Sequence, residues 1–404
     1  MKLEVVGTDR SAKWDRLVAG MRHDVYHLAS YHRLAEDRGE GTARLIVLED
    51  CDSRLLLPVL LRPVSLVPGL EGSALKDATS VYGYAGPLVQ QGESWPESCL
   101  RFREELDACF EGERVCCAFS RLHPLLPQTS ALEGLGEVRE VGPTISIDLT
   151  LPEAEQWGAI RHGHRYDIRR LRREGAQVLH DGDLKYLDEF VSIYGETMRR
   201  VGADAYYRFD RSYFTRLFAL KGAETHLFVC IREGEVLCGA VFTLAGGTLQ
   251  YHLSGARGEA SRGAPTKLLL DEVRRWAVRR EATDFHLGGG LGSRTDSLME
   301  FKSGFSRRRH SFSVWRWIRK EREYEGLVRQ RESHLAGLGL ALPRAGYFPA
   351  YRAPIEERTG REGAGGTVGT GDPDRSVPAP RRGDRAREEA AGATRESRVE
   401  DEGA

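Results

Sequence analysis

The sequence predicts an α/β (α+β) chain made of two tandem units of one layout, with mixed sheets flanked by helices. Three observations lead there. Apolar runs of strand length alternate with amphipathic helical stretches. The order strand, tight turn, strand, strand, helix, strand occurs twice, which reads as a duplication. A closing segment nearly free of aromatic and large aliphatic residues follows both units.

At 404 residues the chain is long enough for two domains. The expected division is 1–150, 151–354 and a tail, 355–404. The first unit runs through helical "DVYHLASYHRLAEDRG", two strands in "ARLIVLEDCDSRLLLPVLLRPV" split at Glu49 to Ser53, a strand at "VYGYAGPLV", helical "SCLRFREELDACFEG" and the strand "RVCCAFSRL". The connector "EAEQWGAIRHGHRYDIRRLRREGAQV" is helical, with Gly175 as its C-cap.

The second unit opens with "DLKYLDEFVSIYGETMRRV", where Leu187, Phe190, Val191, Tyr194 and Met198 recur at helical spacing, and with "SYFTRLFALKG". Strands follow in "HLFVCIREGEVLCGAVFTLAGGTLQYHLSGA", with Gly234 supplying the positive φ of a hairpin turn. Helical "PTKLLLDEVRRWAVRREA" and the strand "DFHLGG" complete it. The tail cannot bury enough apolar surface to offset the entropy of ordering and is expected to be disordered.

Composition excludes several classes. The 59 Lys+Arg nearly match the 60 Asp+Glu, so net charge neither demands nor rules out a nucleic-acid partner. Seven cysteines form an odd set without a C-x-x-C pair, which argues against a disulfide framework or a zinc site. No apolar stretch approaches the ~18 residues of a membrane span, and Met1 to Arg10 lack a signal-peptide core. A cytoplasmic protein without stable membrane insertion is expected.

Chemistry concentrates around "HLGGGLGSRTDSLMEFKSGFSRRRH". The glycines do not make a dinucleotide loop, because Ser293 and Thr295 occupy the places where G-x-G-x-x-G needs glycine. They read as a strand exit. Lys302, between Phe301 and a small residue, can bury its stem and present its amine to a cleft as a point charge for a phosphate or an oxyanion. An ordinary snorkelling lysine is the plainer reading.

Arg161, Arg165, Arg169 and Arg172 fall on one helical stripe suited to a polyanion, with only Asp167 interrupting the positive charge. Arg307 to Arg309 offer a second phosphate contact. Tyr26, Tyr31, Tyr82, Tyr84, Tyr206, Tyr207 and Tyr251 are placed to stack on bases or sugars, or simply to pack. There is no G-x-S-x-G elbow, no H-E-x-x-H and no Cys with an evident His partner, and His162 and His164 lack a third metal ligand. A reaction on a pre-activated donor, driven by positioning and charge, needs none of these.

With the repeated unit, "HRYDIRRLRREGA", "QYHLSGA", "DFHLGGG", "LMEFKSGF" and "YFPAYRAP" in view, the chain resembles the Fem-type aminoacyltransferases and their GNAT-like acyltransferase relatives. The resemblance spans roughly Asp24 to Pro354. It implies two GNAT-like domains and transfer of an amino acid from aminoacyl-tRNA to an amine. The acceptor would be a peptidoglycan precursor, which carries a diphosphate, or a small-molecule antibiotic intermediate. No bound cofactor is implied.

By the same resemblance Lys302 is catalytic and Phe301 shapes the site. Arg165, Arg169, Tyr82 and Tyr251 are expected to bind substrate, and Asp296 and Glu300 are candidate proton acceptors. Departing from some members, the chain has no long charged heptad insertion. The alternative is an acyl-CoA-dependent GNAT-type N-acyltransferase. It is disfavoured because the phosphate-loop pattern fails at Ala260 after Arg257 and at Pro265 after Arg262.

Overall fold

The computed structural model describes residues 1–258, 264–290, 296–343 and 346–357. The expected tail lies outside the described residues from 358 onward.

The first copy of the repeat contains β1 (Lys2–Gly7), α1 (Ser11–Ala19), α2 (Ala29–Asp37), β2 (Thr42–Asp50), β3 (Ser53–Pro63), β4 (Lys76–Thr79), a short β5 (Leu88–Gln90), α3 (Trp95–Gly112), β6 (Val115–Arg121) and β7 (Glu137–Asp148). The connector forms α4 (Glu153–Ala159) and α5 (His162–Arg173). The second copy contains β8 (Gln177–His180), α6 (Leu187–Arg200), α7 (Arg211–Phe218), β9 (Glu224–Arg232), β10 (Glu235–Ala245), β11 (Thr248–Ala256), α8 (Pro265–Arg279), β12 (Asp284–Gly289), α9 (Ser297–Ser303) and β13 (Arg309–Ile318). Last come α10 (Glu321–Gly337) and a two-stranded pair, β14 (Leu340–Ala341) with β15 (Glu356–Glu357).

The two sheets merge into one. Its order is β1-β2-β3-β4-β6-β13-β7-β12-β11-β10-β9-β8, with β5 beside β3. Pairing is parallel only at β4/β6 and β11/β12, so the order reads the same from either end. Each copy gives its last strand to the other: β7 lies against β12, and β13 lies against β6. This exchange leaves neither copy with an open edge at the junction.

Helices cover both faces. α1, α2, α6 and α7 share a core that runs across both copies, including Trp14, Leu34, Phe190, Tyr194, Phe214 and Leu253. On the other face α3 packs over the first copy, and α5 and α8 pack over the second. The β9–β10 turn has positive φ at Glu233 and Gly234, the two-residue geometry that matches strand twist.

One expected element moves. Only the end of "VYGYAGPLV" is strand, where Leu88 and Val89 begin the short β5; residues 81–87 form a loop, and the strand beside β6 is β4, upstream. Gly83 at φ +111 explains the break, because a Cβ there would stand 2.1 Å from Cε1 of Tyr26. The loop thus brings Tyr82 and Tyr84 over the junction. β1, β7 and β13 also went unassigned in the sequence; in β7 and β13 short apolar spans are interrupted by charged residues.

Candidate active site

Lys302 lies on α9, with its side chain buried. Asp296 starts this helix by accepting the Met299 N–H on Oδ1 at 2.8 Å. From α5, His164 donates Nε2 to the carbonyl of Phe301 at 2.9 Å, and Gly304 makes room for that ring. Phe301 packs between His164 and Phe305, each at 5.6 Å, so it braces the helix while Lys302 points the other way.

The lysine is 4% exposed. Its Nζ donates to the carbonyl of Gly289 at 2.6 Å, at the end of β12, and stands 5.9 Å from the centre of the Tyr251 ring. Gly288, at φ +75, leaves a gap: a Cβ there would be 3.3 Å from Nζ and 3.5 Å from the Tyr84 hydroxyl. The glycines therefore serve strand-exit geometry, although Gly292 lies outside the described residues. Burial pushes the Lys302 amine down to about 7, against the opposing pull of Asp296.

Beside it lies a buried polar centre. Oδ1 of Asp24 accepts the Val25 N–H at 2.6 Å, and Oδ2 accepts from Nε2 of His123 at 2.8 Å and from Nε2 of Gln250 at 2.5 Å. Gln250 Oε1 in turn accepts from Nδ1 of His286 at 2.8 Å. His27 accepts the Asp24 N–H on Nδ1 at 3.1 Å and donates to the Ala85 carbonyl at 2.5 Å.

These bonds set the tautomers and leave Nε2 of His286 without a hydrogen-bond partner among the described residues. Burial holds His27 down to about 3, His252 to about 4 and His286 well below its ordinary value.

Six tyrosines form one connected set. Tyr84 meets His286 edge-on at 5.1 Å and Tyr26 at 5.9 Å; Tyr82 lies 5.7 Å from both Tyr207 and His252. Tyr31 and Tyr206 complete the set. Tyr251 stacks on Phe242 and donates to Ser254 Oγ at 2.6 Å, and burial raises its phenol.

Tyr82 also lines a cavity of about 380 Å³ next to the β4/β6 fork. Its walls include Arg62, Arg121, Tyr206, Phe348 and Arg352. Asp77 pairs with Arg62 at 2.6 Å and with Arg352 at 2.5 Å, one carboxylate for two guanidinium groups. Glu40 and Asp204 also line the cavity, so the three arginines Arg62, Arg121 and Arg352 stand among carboxylates, with aromatic faces beside them.

The arginine stripe is less open than its spacing suggested. Arg172 pairs with Asp271 and Glu272, Arg170 with Glu174, and Arg161 with Glu300. Arg165 and Arg169 form no ion pair among the described residues, and Arg169 lies 5.4 Å over Trp157. Arg308 is held by Asp284 at 2.8 Å, whereas Arg307 and Arg309 are exposed.

As proton acceptors Asp296 and Glu300 are poorly placed. The first is engaged in the helix cap and the second is exposed and paired with Arg161. All seven cysteines are free thiols. Among the described residues no group of His, Cys, Asp or Glu is arranged to hold a metal, and no helix is long and apolar enough to cross a membrane.

Sequence reasoning missed Asp24, His123, Gln250 and His286. The available signal was a polar residue breaking into the apolar strands "TLQYHL" and "DFHLGG" at positions that face inward.

Residues 159–303 match the family model described as acetyltransferase (GNAT) domain, which supports an acyltransferase. Its two-unit architecture is Fem-like: the chain is similar to the crystal structure of FemX, with a TM-score of 0.62 at 14% identity, covering 80% of this chain and 99% of that one. A conserved protein of unknown function from Bacteroides thetaiotaomicron VPI-5482 gives a TM-score of 0.51 at 9% identity, covering 78% and 99%. L-PGS from Bacillus licheniformis gives 0.49 at 13%, covering 78% and 93%. No curated protein matches the sequence.

Proposed function

We propose that the protein is an aminoacyl-tRNA-dependent aminoacyltransferase that joins an amino acid to an amine acceptor through an amide bond. The observation that carries this reading is the enclosed Lys302 amine, held at the strand exit by Gly289 and facing the gap over Gly288. An aminoacyl ester is already activated, so the enzyme has to hold amine and carbonyl together, exclude water and meet the developing oxyanion. A buried lysine beside His286, Tyr84 and Tyr251 suits that task.

In this reading the cavity at the β4/β6 fork takes the acceptor. Arg62, Arg121 and Arg352 offer donors to an anionic group, Glu40 and Asp204 offer acceptors to its hydroxyl or amine groups, and the aromatic walls suit a planar or sugar moiety, as in a diphosphate-bearing cell-wall precursor or an antibiotic intermediate. Tyr82 and His252 join this cavity to the polar centre. Unit 1–150 thus supplies most of the acceptor site and unit 151–354 the reacting lysine, with Phe301 and Tyr251 setting its position. Arg165 and Arg169 meet tRNA phosphates. The donor brings the activated group, so no bound cofactor is needed, and charged tRNA places the reaction in the cytoplasm.

The test offers the protein charged tRNA or acyl-CoA with a panel of amines that includes peptidoglycan precursors, before and after ribonuclease treatment. Transfer from charged tRNA, abolished by ribonuclease, is expected. Transfer from acyl-CoA that survives ribonuclease would overturn the reading in favour of the acyl-CoA alternative.

A further inference from the structure

We propose that Lys302 is the proton acceptor of the transfer: its neutral amine takes the proton lost by the attacking acceptor amine and returns it to the leaving oxygen. This rests on the donor reading above and adds the protonation state in which the lysine works.

Geometry comes first. Nζ is enclosed, and its hydrogen bond goes to a neutral carbonyl, that of Gly289. No carboxylate pairs with it among the described residues. Around it stand the Tyr84 hydroxyl across Gly288, the Tyr251 ring, the His286 imidazole on β12, and Asp296 at the start of its own helix. Asp296 is drawn to the Met299 N–H, and His286 is neutral, with its Nδ1 proton given to Gln250. A buried ammonium with only a carbonyl for company is unfavourable, so the neutral amine gains.

The surrounding groups sharpen the assignment. His27, His252 and His286 take a proton only in acid, and the Tyr26 and Tyr251 phenols keep theirs into strong alkali. Lys302, at about 7, changes charge where a general acid–base catalyst is most effective.

The step balances without another reactant. The neutral acceptor amine attacks the ester carbonyl, and the C–N bond forms as an N–H proton passes to Nζ. The resulting ammonium faces the oxyanion. Collapse breaks the ester C–O bond, the ammonium protonates the leaving ribose oxygen, and Lys302 is neutral again.

Two measurements test this. The chain has eight lysines, few enough for their side-chain carbons to be followed by NMR after labelling with ε-13C lysine. One signal, absent from Lys302→Met, should titrate near pH 7 in substrate-free protein. Single-turnover transfer should rise with pH through the same midpoint, fall by about 100-fold or more in Lys302→Arg, and return in Lys302→Ala when methylamine but not guanidinium is added. A Lys302 carbon titrating above about 9, or a Lys302→Arg rate within a few-fold of the parent, would overturn the proposal. The substrate-free titration separates the two readings: a midpoint near 7 without any transfer from charged tRNA would sink the donor reading and leave the lysine's neutral state supported.

Discussion

Gln250 donates through Nε2 to Oδ2 of Asp24 at 2.5 Å, joining a central strand of the second copy to the start of a helical turn in the first across 226 residues. Three donors converge on that one carboxylate, from Val25, His123 and Gln250. It is fully buried, at the point where the copies exchange strands.

Removing it should therefore cost more than an ordinary core polar change. Asp24→Ala strands three buried donors and is expected to lower stability by roughly 3 kcal/mol or more, read from urea unfolding. Asp24→Asn keeps one acceptor and should cost less. A loss below about 1 kcal/mol in Asp24→Ala would show that the network contributes little.

Acid should unfold the protein early. His27 is held near 3, and His32, His164, His226 and His252 near 4, all by burial. Below pH ~6.5 the unfolded chain binds protons that these native imidazoles refuse, so stability present above that pH is lost progressively as pH falls toward 4. Melting temperature measured from pH 7.5 down to 4.5 should fall steeply, and a flat profile would contradict the neutral histidines.

The lysine works in the same sense, at higher pH. Its native value of about 7 lies below that of a free lysine, so between these limits the unfolded chain holds the extra proton and stability rises with pH. Lys302→Met removes the penalty. It should stabilise the fold near pH 7.5 by up to roughly 4 kcal/mol, less whatever the unpaired Gly289 carbonyl costs, while abolishing transfer.

Gly288→Ala puts a methyl group into the gap between Lys302 and Tyr84, at a backbone angle of φ +75. The backbone strain costs about 1–2 kcal/mol. Transfer should drop far more than stability, by about 10- to 100-fold, because the reacting groups are held apart. Equal losses of activity and folded fraction would argue that the gap has no role in the reaction.

Charge reversal at Arg165 and Arg169 tests the nucleic-acid face. Neither is ion-paired among the described residues, so Arg165→Glu with Arg169→Glu should leave unfolding within about 0.5 kcal/mol per site. Charged tRNA should bind more weakly, and the dependence of log affinity on log salt should flatten by about 1.5 units. An unchanged slope would move the contact elsewhere.

Local pattern sufficed for much of this protein. Apolar runs placed β2, β3, β6 and β9 to β12, and helical periodicity placed α2, α3 and α5 to α8, because each is a property of neighbouring residues. Tertiary structure alone decided the rest. The strand exchange depends on pairings such as Val314 with Arg121 and Ile145 with Gly288, between residues more than a hundred positions apart. No periodicity encodes such a partner.

The same holds for the centre of the site. Asp24, His123, Gln250 and His286 are unremarkable polar residues until the junction encloses them, and only then do directed hydrogen bonds join them and burial lower the basicity of His286. Tertiary contacts also spent charges that spacing had offered: Arg172 went to Asp271 and Glu272, and Asp296 to its helix cap. The sequence by itself determined the repeated layout and most of the elements that build it. Enclosure by both copies, with the low dielectric and fixed partners it brings, decided the lysine's surroundings and its basicity.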